Sequence, residues 1–209
     1  MIFENLIRAE VRAEVVARFK TLARFIGCSA DDIAIVVKGE SSFNLKAYNS
    51  SGGASGWFQW MPATAADLGT TTAQIRNMNE LQQLDLYEKY IRRLGLQGKI
   101  RNVLDLYLAN FFPAAVGQKL TFLIADKDGK TDTRITDTAW LKKVYSQNAG
   151  LDQNKDGRIT VGDIQAWCKR IFPEANFNNT EVPFFGLPSS SSLSGGGGKS
   201  KKPNGKKEK

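Results

Sequence analysis

The stretch ESSFNLKAYNSSGGASGWFQWMPATA, residues 40–65, decides how this chain is read. A single carboxylate, Glu40, closes an apolar run. A turn rich in Gly, Ser and Asn follows, then the cluster Trp57, Phe58, Gln59 and Trp60, and then Pro62, which marks the first turn of a helix. Upstream, Asp31 to Val37 reads as a buried helix with an acidic first turn, with Ser29 as its N-cap and Asp32 in the capping-box position. Glu40 therefore emerges at the C-terminal end of that helix, where the negative end of the helix dipole disfavours its charge. Packing against Trp57 or Phe58 would desolvate the carboxyl, and both effects push its pKa up. A carboxyl held neutral near pH 7 can protonate a leaving-group oxygen in glycoside cleavage. A surface Glu ending a helix would do nothing of the kind, and Glu40 alone does not separate the two readings.

Its neighbours do. The order E-S-x-F-x-x-x-A, then G-A-x-G-x-x-Q-x-M-P-x-T-A, is carried by Glu40, Ser41, Phe43, Ala47, Gly52, Ala54, Gly56, Gln59, Met61, Pro62, Thr64 and Ala65. It resembles the soluble lytic transglycosylases of the lysozyme-like superfamily. Three departures stand out: an extra Gly in Gly52-Gly53, Leu45 where a Pro is usual, and Trp57-Phe58 in place of the usual Leu-Met. Further on, Leu108 to Val116 resembles the family's third motif, A-Y-N-A-G-P-x-A-V. Asn110, Pro113, Ala115 and Val116 match, while Ala109 stands where the family has a Tyr. Another phenol, Tyr107 or Tyr48, is the candidate replacement.

The resemblance implies a mostly α, lysozyme-like helical domain in which Glu40 is the general acid/base. Ser41, Gln59, Trp57, Phe58, Asn110 and Tyr107 are then the candidate substrate-binding residues, with the face of Trp60 beside them. The implied partner is the peptidoglycan glycan strand, cut at the β-1,4 bond between N-acetylmuramic acid and N-acetylglucosamine. No second carboxylate occupies a persuasive place, which favours a one-Glu transglycosylase over a two-carboxylate lysozyme, although Asp67 or Asp105 could fold close by. A hydrolytic muramidase on the same fold stays open, as does a non-catalytic virion or wall-binding protein.

Composition narrows the chemistry further. The chain has no His, which excludes Ser-His-Asp and Cys-His nucleophiles and His-ligated metals. Cys28 and Cys168 lie far apart in apolar helical surroundings and read as free buried thiols. Residues 1–26 read as one amphipathic helix with Leu6, Ile7, Val11, Val15, Phe19, Leu22 and Ile26 on its stripe. Charges interrupt it throughout, so neither a signal peptide nor a membrane span is expected. An enzyme of this resemblance would then reach the host envelope by another route, such as a phage virion that carries it there.

A second motif is D-x-N-x-D-G-x-I, from Asp152 to Asp163. It fits a calcium loop, with ligands from Asp152, Asn154, Asp156, the Arg158 carbonyl, Thr160 and Asp163, and Gly157 at the sharp turn. Helices expected over 138–147 and 164–172 flank it and complete a C-terminal helix–loop–helix motif. Asp in the last ligand position resembles the dockerin-type loop, and a structural Ca²⁺ is expected. Between the two motifs, Asp128-Gly129 reads as the turn of a small β-hairpin insertion.

The expected organisation is a catalytic domain over 1–137, a calcium-loop segment over 138–188 packed on it, and a disordered Ser/Gly/Lys tail over 189–209. The tail holds six Lys and one Glu, +5 of the formal +8, so the body carries 8 − 5 = +3. Such a tail could contact membrane, nucleic acid or other virion proteins, or simply tether.

Overall fold

The computed structural model describes residues 1–131 and 136–177. Helices account for most of it: α1 (Arg12–Ile26), α2 (Ala30–Ser41), α3 (Pro62–Asp67), α4 (Thr72–Ile75), α5 (Glu80–Leu94), α6 (Val103–Phe111), α7 (Thr138–Asn148) and α8 (Val161–Ile171). Two short strands, β1 (Leu123–Asp126) and β2 (Arg158–Thr160), complete it. This is the mostly helical architecture with a small antiparallel sheet expected of a lysozyme-like fold.

Local signals set most helix ends. Ser29 accepts from the Asp32 N–H, and the Asp32 carboxylate bonds back to the Ser29 N–H, closing the expected capping box of α2. Asn79 and Gln82 do the same for α5, which stops at Gly95 in the left-handed region. Thr71 caps α4, and Asn102 caps α6.

The single helix expected over 1–26 begins instead at Arg12. Glu4–Leu6 forms a 3-10 turn, Phe3 takes φ 57°, and Ile7 is extended. Two tertiary demands explain the break. Ile7 plugs the core at 2 % exposure. Arg8 reaches across to α5 and donates through both Nε and a terminal nitrogen to Glu80, at 2.7 and 2.9 Å. From Arg12 on the helical period resumes. Val15, Phe19, Leu22 and Ile26 are fully buried, and such side chains each contribute roughly 1.5–3 kcal/mol on burial. Among the described residues, no helix is long and apolar enough to cross a membrane.

The strand beginning inside the expected insertion pairs across a long sequence gap. β1 runs antiparallel to β2, with Asp126 opposite Arg158 and Ala125 opposite Ile159. β2 lies within the candidate calcium loop, so the sheet ties that loop to the middle of the chain. Residues 132–135, where a hairpin would return, lie outside the described residues, as does the Lys-rich tail.

Candidate active site

Glu40 is placed by helical period. Ile33, Val36 and Val37 are fully buried on α2, and Glu40 follows them at i+7, i+4 and i+3, on the same stripe. The core stripe thus ends in a carboxyl at the next-to-last residue of the helix. Glu40 is partly open on its cleft side, yet protein surrounds the carboxyl closely enough that burial raises its pKa from 4.5 to about 7. Among the described residues the carboxyl makes no hydrogen bond or ion pair that would offset this. The carboxyl therefore keeps its proton to higher pH than an ordinary Glu.

The chain after Glu40 turns sharply. Ser42 and Phe43 both take positive φ, at 51° and 61°. The Gly/Ser/Asn turn is then closed by bridges from Ser55 to Tyr48 and Trp60. One buried side chain holds this assembly from α5. The Gln83 amide oxygen accepts from the Trp57 N–H at 2.7 Å, and its nitrogen donates to the carbonyls of Leu45 and Ile75. Gly56 allows the approach, because at φ +78° a Cβ there would meet Gln83 Oε1 at 2.6 Å and Ile75 Cγ2 at 2.7 Å.

A cleft of about 170 Å³ opens in front of Glu40. Phe58 and Gln59 line it from the turn, and Tyr107 and Asn110 line it from α6. Of the predicted binding residues, these four are gathered around the carboxyl. Phe58 stacks on Tyr87 at 4.0 Å between ring centroids, and Tyr87 donates to Asn110 Oδ1 at 3.1 Å. Gln59 sits at φ 47° and donates its amide to the Gly56 carbonyl. Burial raises the Tyr107 phenol above its ordinary pKa, and the nearby Glu40 raises it further.

Two predicted residues fall elsewhere. Trp57, 1 % exposed, turns inward onto Phe19 and Phe43, and its indole N–H donates to the Phe43 carbonyl. Its neighbours Phe58 and Trp60 face the cleft instead. Ser41 is spent within α2, donating to the Val37 carbonyl at 3.1 Å. Tyr48, the other phenol considered, is exposed with Arg76 over its ring, so of the two Tyr107 is the one that lines the cleft with Glu40.

The cleft also has walls that the sequence did not single out: Met61 and Thr64 at the start of α3, Tyr90 from α5, and Phe111 from α6. Trp60 brings a buried indole N–H without a partner among the described residues, as does the Asn110 amide nitrogen. Glu40 is the only acidic side chain lining the cleft among the described residues. Asp105 is buried away from it, accepting from the Arg101 N–H, and Asp67 pairs with Arg93 on the surface.

Asp152 to Thr160 links α7 to α8 through β2, and Asp163 lies in the first turn of α8. Asp152 is buried, and its Oδ2 accepts from Tyr145 Oη and the Gly157 N–H. Its Oδ1 is buried without a partner among the described residues. Asn154 and Asp156 accept from the N–H groups two residues ahead, and Asp163 accepts from Gln153 and from Thr160. Among the described residues no three His, Cys, Asp or Glu side chains are gathered to hold a metal. Cys28 and Cys168 are free thiols.

A helical domain whose core helix ends in a Glu of raised pKa beside a cleft is consistent with a lysozyme-like fold. Residues 26–85 match the family described as the transglycosylase SLT domain, a peptidoglycan-degrading family, and that span holds α2, Glu40 and the Gln83 tie. No curated protein matches the chain.

Proposed function

We propose that the protein is a lytic transglycosylase that cuts the β-1,4 bond between N-acetylmuramic acid and N-acetylglucosamine with Glu40 as its one catalytic carboxyl. The observation that carries this reading is Glu40 itself: raised to about 7, and the only acidic side chain among the described cleft-lining residues. Protonated Glu40 gives its proton to the glycosidic oxygen as the C1–O bond breaks. The resulting carboxylate then takes the proton of the muramic 6-hydroxyl as that oxygen bonds to C1 and closes a 1,6-anhydro ring. No water is consumed. Aromatic and amide groups at Phe58, Gln59, Tyr107 and Asn110 suit sugar faces and acetamido groups.

Digestion of purified peptidoglycan, with released muropeptides weighed by mass spectrometry, tests the proposal. Products ending in 1,6-anhydromuramic acid are expected. Reducing ends heavier by one water would make the enzyme a muramidase, and no release would favour a wall-binding protein without activity. The same reading places its work in a bacterial envelope reached from a phage virion, which finding the chain's peptides in purified particles would support and their absence would refute.

The 152–163 loop fits a hard cation in donor type. Its ligand positions offer carboxylate, amide, hydroxyl and carbonyl oxygens, and Asp152 Oδ1 is a buried carboxylate oxygen without a partner. We propose that it holds Ca²⁺ through Asp152, Asn154, Asp156, the Arg158 carbonyl, Thr160 and Asp163. The ion would supply structural charge neutralisation there. At a hundredfold excess over Kd, calcium should stabilise the fold by about 2.7 kcal/mol, raising Tm by about 5 °C or more. Asp152→Asn should lose most of that gain. Equal Tm with calcium and with chelator would rule the site out.

A further inference from the structure

The helix that leaves the calcium-type loop packs against the residue before Glu40, although it lies far outside the family-matched span. Phe172, at the end of α8 and 4 % exposed, presses its ring onto Gly39, where any Cβ would run into it. Trp167 lies against Tyr107, with ring centroids 4.8 Å apart, and meets Phe172 edge-on at 5.8 Å. Cys168, between them in sequence, is fully buried, and its thiol is pushed up to about 12 by burial and then by the charge of Glu40. The end of α8 therefore stands against α2 at Gly39, the residue before Glu40, and against the phenol of Tyr107.

We propose that Trp167 and Phe172 are positioning residues for the reaction: they close the cleft behind Glu40 and keep water from its carboxyl. Their relevance to turnover rests on the transglycosylase reading above; the exclusion of water does not. The titratable groups facing Glu40 are Tyr87 and Tyr90 from α5, Tyr107 from α6 and Cys168 from α8. All are neutral near pH 7, their pKa values being raised by burial. No Lys, Arg or Asp lines the cleft with it among the described residues. Solvent exclusion is thus what governs its proton, and α8 supplies one side of it.

The test is a carboxyl ¹³C NMR titration of the full chain, with the Glu40 signal assigned by its loss in Glu40→Gln. Phe172→Ala and Trp167→Ala should each lower the Glu40 midpoint by about one unit, by admitting water. Because the acid form starts the reaction, the alkaline limb of the pH–rate profile should move down equally. That is roughly a fivefold loss of rate at pH 7. Gly39→Ala attacks the same contact from α2, where Ala is the better helix former, so it carries the test should Phe172→Ala fail to fold. Gly39→Ala should lower the midpoint alone and add nothing in the Phe172→Ala background, where the ring is gone. An unchanged midpoint in variants that still unfold cooperatively would overturn the proposal. A shifted midpoint in a protein that releases no muropeptides would overturn the enzymatic reading alone.

Discussion

Replacing Glu40 by Gln is expected to lower glycan cleavage by roughly a thousandfold while making the protein more stable above neutral pH. Both effects have one cause. The carboxyl sits where burial raises its pKa from 4.5 to about 7, so its charged form is disfavoured in the folded state. Below pH 4.5 the group is protonated whether the chain is folded or unfolded, and it costs nothing. Between about 4.5 and 7 the unfolded chain gives up its proton while the folded protein still holds it, so stability falls across that window and levels off above it. The shift would correspond to about 3 kcal/mol if the group were fully enclosed; its open cleft side reduces this to roughly 2 kcal/mol. Gln carries no charge at any of these pH values. At pH 8 the variant should therefore melt about 5 °C higher than wild type, and at pH 4 the two should melt together. Thermal melts at the two pH values check this, and a pH-independent difference would show that the carboxyl is not held in a desolvated site.

Gly56→Ala should have the largest effect on folding. At φ +78° any side chain is strained, and the added Cβ would lie 2.6 Å from Gln83 Oε1 and 2.7 Å from Ile75 Cγ2. Gln83 cannot retreat without giving up the Trp57 N–H and two carbonyls that it satisfies in the interior. Left-handed Ala costs about 1 kcal/mol, and each buried polar group left unpaired costs about 1–3 kcal/mol more. A loss of roughly 3–5 kcal/mol is expected, a large part of the stability of an ordinary domain. Gly95 is the control: its φ is +65°, but nothing lies within 4 Å of a Cβ there, so Gly95→Ala should cost only about 1 kcal/mol. Urea unfolding of the two variants measures both. Equal losses would mean that backbone strain alone matters and that the Gln83 contact does not.

What was legible in the sequence was local. The Ser29–Asp32 box and the place of Glu40 at the end of its stripe both follow from residues within two turns of each other. The aromatic cluster was not legible. Gly56 and Gln59 both take positive φ within it, so Trp57, Phe58 and Trp60 follow neither a strand nor a helix period. Trp57 was therefore expected on the cleft and lies in the core. Gln83 did leave a signal. It falls on the α5 stripe beside Leu84 and Tyr87, all fully buried, and an amide at an apolar position calls for partners. The β1–β2 pairing and the contact of α8 with Gly39 join distant segments, and no short-range pattern announces such joins.

The Gly39–Phe172 contact also bears on when the proposed site is completed during synthesis. α2 and the turn after it leave the ribosome early, whereas Phe172 follows only once α5, α6 and α7 have been made. Domains generally fold as units during synthesis. Until Phe172 has been made, a nascent chain carries Glu40 without the wall behind it, and its carboxylate stays wet and ionised at cellular pH. On the transglycosylase reading, cutting power would then arrive last, with the helix behind the cleft, and a ribosome-stalled or truncated chain would be a poor glycan cutter.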